Sequence, residues 1–120
     1  MKIAVSASGQ DLSSQVDPRF GRAPYFLVVD AETMEFQVVD NRETMGFSHG
    51  AGPQAVQKIV DYQPKALLTG NCGPNAFRAL QAAGIEVVMN VTGTVKEAIQ
   101  RYRAGELKAA GTPRVPGHWG

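Results

Sequence analysis

The sequence predicts an α/β domain built on a mixed five-strand sheet of order 3-2-1-4-5 with three helices. Two observations carry this. The second half alternates short apolar runs with segments of helical period, the pattern of βαβ units on a parallel sheet. The first half holds two strand-like runs joined only by Ala31-Glu32-Thr33. So short a connection makes those two strands antiparallel neighbours.

The elements follow in order. Lys2 to Ala7 reads as a strand with Ile3, Val5 and Ala7 on one face and Ala4 and Ser6 on the other. Small residues on both faces suit a central strand covered on both sides. Ser8 to Ala23 is a long connection without a period, and irregular segments of that length in a compact domain tend to carry function. Tyr25 to Asp30 is apolar on both faces and reads as buried. Met34 to Val39 alternates, with Met34, Phe36 and Val38 set against Glu35 and Gln37, which predicts a half-exposed edge strand with the apolar set inward.

A second loop, Asp40 to Gly52, ends in Gly52-Pro53, read as a helix entry. That helix runs from Pro53 to about Tyr62, burying Ala55, Val56, Ile59 and Val60, and Pro64 marks its end. Ala66 to Thr69 is a short buried strand. Pro74 to Ala83 is a helix with Phe77, Leu80 and Ala83 inward and Gly84 closing it. Ile85 to Met89 is the fifth strand. Thr94 and Glu97 form a capping box for a third helix from Val95 to about Arg103, with Val95, Ala98, Ile99 and Tyr102 inward. Residues 1–107 make the domain. Residues 108–120 carry Gly111, Pro113, Pro116, Gly117 and Gly120 and read as an extended or mobile tail, notable for His118 and Trp119.

A chain of 120 residues is one domain with a core of its own. A net charge of +1 and few aromatics argue against nucleic-acid or membrane partners. The N-terminus shows no signal-peptide core, and no apolar run approaches a membrane span. A single cysteine makes no internal disulfide and suits a reducing compartment. The expected location is the cytoplasm.

Chain direction then concentrates the interest at one edge. The loops after strands 1, 3, 4 and 5, and the three helix N-termini, all fall at the same end of the sheet. The split between strands 1 and 4 is a topological switch point, where open α/β sheets bind ligands. Free backbone N–H groups and helix dipoles make such an edge attractive to anions. Gly70, Asn71, Cys72, Gly73, Pro74, Asn75 and Ala76 pass through it. An echo, Ala51-Gly52-Pro53-Gln54-Ala55, lies in the preceding loop. Arg19 and Arg22 flank Phe20 and Gly21 in the first loop. They offer fixed donors for an anion, or alternatively pair with Asp17 to staple the loop. Cys72, ahead of a helix N-terminus, is expected to have a lowered pKa and to serve as ligand or nucleophile, or else to be an inert filler. His49 is the candidate second metal ligand. A Cys72–His49 pair lacks an orienting third group, and there is no Walker A or G-x-G-x-x-G motif. The residues favour a binder over an enzyme.

Taken together, Val16-Asp17-Pro18-Arg19-Phe20-Gly21-Arg22-Ala23, Gly50-Ala51-Gly52, Gly70-Asn71-Cys72-Gly73-Pro74-Asn75-Ala76-Phe77 and Ala83-Gly84-Ile85 resemble the dinitrogenase iron–molybdenum cofactor biosynthesis domain family. That family includes nitrogenase cofactor carriers, the orange protein and small stand-alone relatives. The resemblance spans about Met1 to Leu107. It implies a ribonuclease H-like three-layer fold. It also implies non-catalytic binding, carriage or assembly of an anionic metal–sulfur cluster containing Mo, Fe or Cu, of Fe–Mo–S or Mo–Cu–S type. Nuclease action is not expected, because Val5-Ser6-Ala7-Ser8 stands where ribonuclease H-type enzymes carry a metal-binding aspartate. The expected cluster or anion site comprises Arg19, Phe20, Arg22, Gly50, Gly52, Asn71, Gly73 and Asn75, with Cys72 and His49 as metal ligands and Phe20 and Met89 as an apolar wall. Expected partners are cluster donor or acceptor proteins, and a homodimer sharing one cluster stays open. Two alternatives remain: a regulatory or docking module for a peptide or phosphate-bearing metabolite, and a Cys72-dependent enzyme.

Overall fold

The computed structural model describes residues 1–47 and 49–110. The sheet is formed by β1 (Lys2–Ala7), β2 (Tyr25–Asp30), β3 (Phe36–Asp40), β4 (Ala66–Leu68) and β5 (Glu86–Val88), in the order β3-β2-β1-β4-β5. β1 pairs antiparallel with β2, with Val5 opposite Leu27, and parallel with β4, with Ala4 opposite Leu67. β2–β3 is antiparallel and β4–β5 parallel. The expected order is therefore the observed one.

Four helices are described rather than three: α1 (Arg42–Met45), α2 (Ala51–Val60), α3 (Pro74–Ala82) and α4 (Val95–Arg103). The addition, α1, is a single turn inside the loop read as irregular. Its N-cap residue Asn41 makes no side-chain cap. Instead its amide donates to the carbonyls of Gly21 and Ala23, 3.3 and 2.8 Å away. These tertiary contacts, with the Asp40 carboxylate accepting Arg42 N–H at 2.9 Å, hold that turn. α2 also begins two residues before Pro53, because proline is tolerated throughout the first turn, where no N–H is needed.

Alternation along β1 divides the core in two. Ala4, with Phe26, Val28, Leu67 and Val87, faces α2 and α3, which contribute Ala55, Val56, Ile59, Ala76, Phe77 and Leu80. Ile3, Val5 and Ala7, with Leu27, Val29, Leu68 and Val88, face Val95, Ala98 and Ile99 of α4. The result is helix, sheet, helix in three layers. On that second face the contacts of α4 with the sheet fall mainly on β1. Phe36 and Val38, expected inward, are consequently 36% and 38% exposed, and Val39 is the buried residue of β3. Ala83, also expected inward, is the exposed C-cap of α3. Gly84 follows at φ +77°, and Ala76 takes the core position instead.

The chain after α4 returns along the free edge of β5, where Ala110 N–H donates to the Val87 carbonyl at 2.7 Å. Residues 111–120 of the expected tail, His118 and Trp119 among them, lie outside the described residues.

Candidate functional site

The segment after β1 is tied down before it reaches the edge. Asp17 N–H donates to the Ser6 carbonyl at 2.8 Å. Ser6 Oγ lies 2.8 Å from both the Asp17 carbonyl and Thr69 Oγ1. One hydroxyl has one proton, so Ser6 donates to the carbonyl and accepts from Thr69. Both hydroxyl residues are fully buried. β1 and β4 thus jointly hold the backbone at Asp17.

Glycines then set the close approaches. A Cβ on Gly70 would lie 2.5 Å from Pro18 Cα, and one on Gly21 would lie 2.8 Å from Gly52 N. One on Gly52 would meet Ala76 Cβ at 3.0 Å. The first loop therefore lies directly on the strand-4 loop and on the start of α2, and α2 starts against the start of α3. Phe20 N–H completes the seam by donating to the Asn71 carbonyl at 2.9 Å.

The space between these loops is a cavity of about 400 Å³. Arg19, Phe20, Arg22, Gly50, Gly52, Asn71, Cys72, Gly73 and Asn75 line it, together with Pro18, Gly21, Ala51, Pro53, Pro74 and Ala76. The second group is not among the expected site residues, although its segments are expected at this edge. Its signal was present in the paired Ala-Gly-Pro-Gln-Ala and Cys-Gly-Pro-Asn-Ala segments, whose alanines and prolines form the wall beside the glycines.

The electrostatics are one-sided. Two arginines and no acid line the cavity. α2 and α3 begin at Gly50 and Gly73 with no side-chain cap and no acidic residue in the first turn. Their leading N–H groups have no intrahelical acceptor, so two positive dipole ends open on one space. α4 is different. The Thr94–Glu97 capping box closes it, and its next two amides, Val95 and Lys96, donate to the carbonyls of Ser14 and Leu12 at 2.9 Å. Gly93 is absent from the cavity wall for the same reason: its carbonyl accepts from Val16. Of the three helix N-termini expected to serve the edge, two do.

The individual side chains fall out as follows. Arg19 is exposed and stands 3.6 Å, through Nε, from the buried Asp17 carboxylate. Arg22 donates from Nη1 to the Phe47 carbonyl at 2.6 Å. Phe20 is 1% exposed and stacks on Phe26 at 5.1 Å, so its ring belongs to the core. Met89 packs on that core and does not line the cavity. His49 is exposed and likewise off the cavity wall, although its neighbour Gly50 is on it. Cys72 lines the cavity but is half-buried against the core, and burial pushes its thiol up to about 11. Desolvation disfavours the charged form, so the expected low-pKa thiolate is not what this position holds. Among the described residues, no three His, Cys, Asp or Glu side chains group as a metal site, and no helix is long and apolar enough to cross a membrane.

The fold and site define the class: a small α/β domain whose switch-point edge presents two uncapped helices and two arginines to one cavity. Residues 1–105 match the family described as dinitrogenase iron-molybdenum cofactor, and the chain belongs to that family. The apo orange protein of Desulfovibrio gigas is 48% identical and superimposes with a TM-score of 0.90, covering 95% of this chain and 96% of that one. A NifB-like protein from Thermotoga is 40% identical with a TM-score of 0.81, over 97% and 98% of the two chains. An uncharacterized protein of Methanocaldococcus jannaschii is 30% identical over 111 residues, 90% of each chain.

Proposed function

We propose that this protein binds and carries an anionic metal–sulfur cluster, of Fe–Mo–S or Mo–Cu–S type, in the cavity between the first loop and the starts of α2 and α3, without catalysing a reaction on it. The observation that carries the reading is the pair of uncapped helix N-termini beside Arg19 and Arg22, with no acid in the wall. Donors of this kind hold a bulky anion through many charge-assisted hydrogen bonds. A cluster that brings its own sulfide shell needs no set of protein ligands. Cys72, protonated at neutral pH, offers at most one soft ligand, formed only when a metal displaces its proton. The partners are proteins that deliver the cluster or accept it.

The test is anaerobic titration of the full chain with tetrathiomolybdate, alone and with Cu(I), followed by visible absorption and metal analysis after desalting. Stable uptake that falls with rising salt and in R19A/R22A supports the reading; no retained metal refutes it. The same helix ends also suit phosphate, which favours one alternative, a phosphate-bearing metabolite. Inorganic phosphate that binds as tightly as the thiomolybdate, and displaces it, would move the conclusion to that alternative.

A further inference from the structure

Resting on the reading of the cavity as an anion site, we infer that Asp17 is a positioning residue: its buried carboxylate holds the Nε edge of Arg19, so that the two terminal amino groups of the guanidinium are left to grip the bound anion.

Three observations carry this. Asp17 is 5% exposed, an expensive place for a carboxylate, and a charge so buried is kept only with partners. Its Oδ1 accepts the backbone N–H of Arg19 at 2.9 Å and faces Arg19 Nε at 3.6 Å. The backbone of Asp17 is itself immobilised by Ser6 on β1, through Asp17 N–H at 2.8 Å and Ser6 Oγ at 2.8 Å. The carboxylate is therefore a fixed point on the sheet. The guanidinium it faces is the exposed member, with 62% of its side chain open to solvent. A free arginine samples many rotamers, and a planar fork is useful for a bidentate grip only when its plane is set. Among the described residues the Arg19 side chain pairs only through Nε, with Asp17, and Arg19 lines the cavity.

The inference makes a prediction opposite to that of charge alone. Removing a carboxylate beside an anion site raises the local positive potential, so on Coulombic grounds binding would tighten. If Asp17 orients Arg19, binding weakens instead.

The experiment is a double-mutant cycle on the full chain, with tetrathiomolybdate as probe. Asp17→Asn keeps an oxygen for the Arg19 N–H and removes the charge; Asp17→Ala removes both. In the wild-type background D17N is expected to weaken binding about threefold to tenfold, and in the R19A background to change it by less than about twofold. Thermal unfolding run in parallel gives the structural part, which is the same in both backgrounds. An equal loss of affinity with and without Arg19, or tighter binding by D17N, overturns the assignment. Uptake by no variant, wild type included, overturns the reading of the cavity. The ligand-free NMR signal of Arg19 Nε–H then decides about Asp17. A distinct, slowly exchanging signal that collapses in D17N supports it. One indistinguishable from that of exposed Arg103 refutes it.

Discussion

Replacing Gly70 with alanine tests the architecture of the cavity at its tightest contact. The added Cβ would sit 2.5 Å from Pro18 Cα, 2.7 Å from its carbonyl oxygen and 3.0 Å from its carbonyl carbon. All three are backbone atoms, so no rotamer relieves the overlap. The Pro18 segment must lift by about 1 Å to restore van der Waals contact. Overpacking of this kind costs about 1–3 kcal/mol. Lifting the segment also strains the Phe20–Asn71 hydrogen bond at 2.9 Å, whose loss adds roughly 0.5–1.5 kcal/mol. Against this, alanine loses less backbone entropy than glycine on folding, worth about 0.4–1 kcal/mol. The balance is a destabilisation of about 2–3 kcal/mol. With a urea slope of about 1.5 kcal/mol/M, the midpoint falls by roughly 1.3–2 M with an unchanged slope. Gly73→Ala is the control. Gly73 has φ −74° and nothing within 4 Å of the added Cβ; alanine is a poorer N-cap than glycine, which the lower entropy of its unfolded chain partly offsets, so the change stays within about 1 kcal/mol, a midpoint shift of less than about 0.7 M. Equal midpoints for the two variants would refute the claim that the first loop rests on the strand-4 loop.

Four further outcomes follow from the structure. Cys72 is expected to alkylate slowly at pH 7–8, with a rate rising about tenfold per pH unit until the pH nears about 11, where burial has placed its thiol; fast modification by iodoacetamide at neutral pH would show an ionised thiolate. The same shift means that folded protein loses stability as the pH rises from 9 towards about 11, because the unfolded thiol ionises first, and Cys72→Ser should flatten that limb of the pH–stability curve. Thr94→Ala removes the oxygen that accepts Glu97 N–H at 3.1 Å and should cost about 1 kcal/mol in chemical denaturation, with no change in thiomolybdate uptake, since α4 does not serve the cavity. Arg42 donates to Asp40 at 2.7 Å and holds its carboxyl at about 2. In Arg42→Ala an NMR titration should find Asp40 raised towards the usual 3.8 but still below it, because the backbone N–H of residue 42 keeps donating to the carboxylate, and the contribution of the pair, present at neutral pH, is lost as the pH falls below 3.8 towards about 2.

Much was legible without coordinates, and particular residues say why. The odd–even split of Ile3, Val5 and Ala7 against Ala4 was readable because strand side chains alternate strictly. The start of α4 at Val95 was readable because a capping box is a local device whose partners sit three residues apart, and its end at Arg103 because Gly105 takes a left-handed φ of +77°. The strand order followed from connection lengths and chirality. What misled was in each case a local rule overruled by packing. Proline at 53 looked like a first helical residue, yet the helix starts at Ala51. Phe36 and Val38 alternated as an inward set, yet the helix that would cover them lies over β1.

By itself, then, the sequence determined the sheet, its order and the end of it at which the glycine loops gather, because periodicity and connection length are properties of neighbouring residues. Only the tertiary structure decided which of the gathered groups are open to a ligand. Cys72 lies at the edge as the sequence implies, but how far its sulfur is desolvated depends on the core packed beneath it. α4 points its N-terminus at that edge too, but the carbonyls of Ser14 and Leu12, some 80 residues away in the chain, occupy its amides. Accessibility and hydrogen-bond satisfaction are sums over everything nearby in space, and no spacing within the chain encodes them.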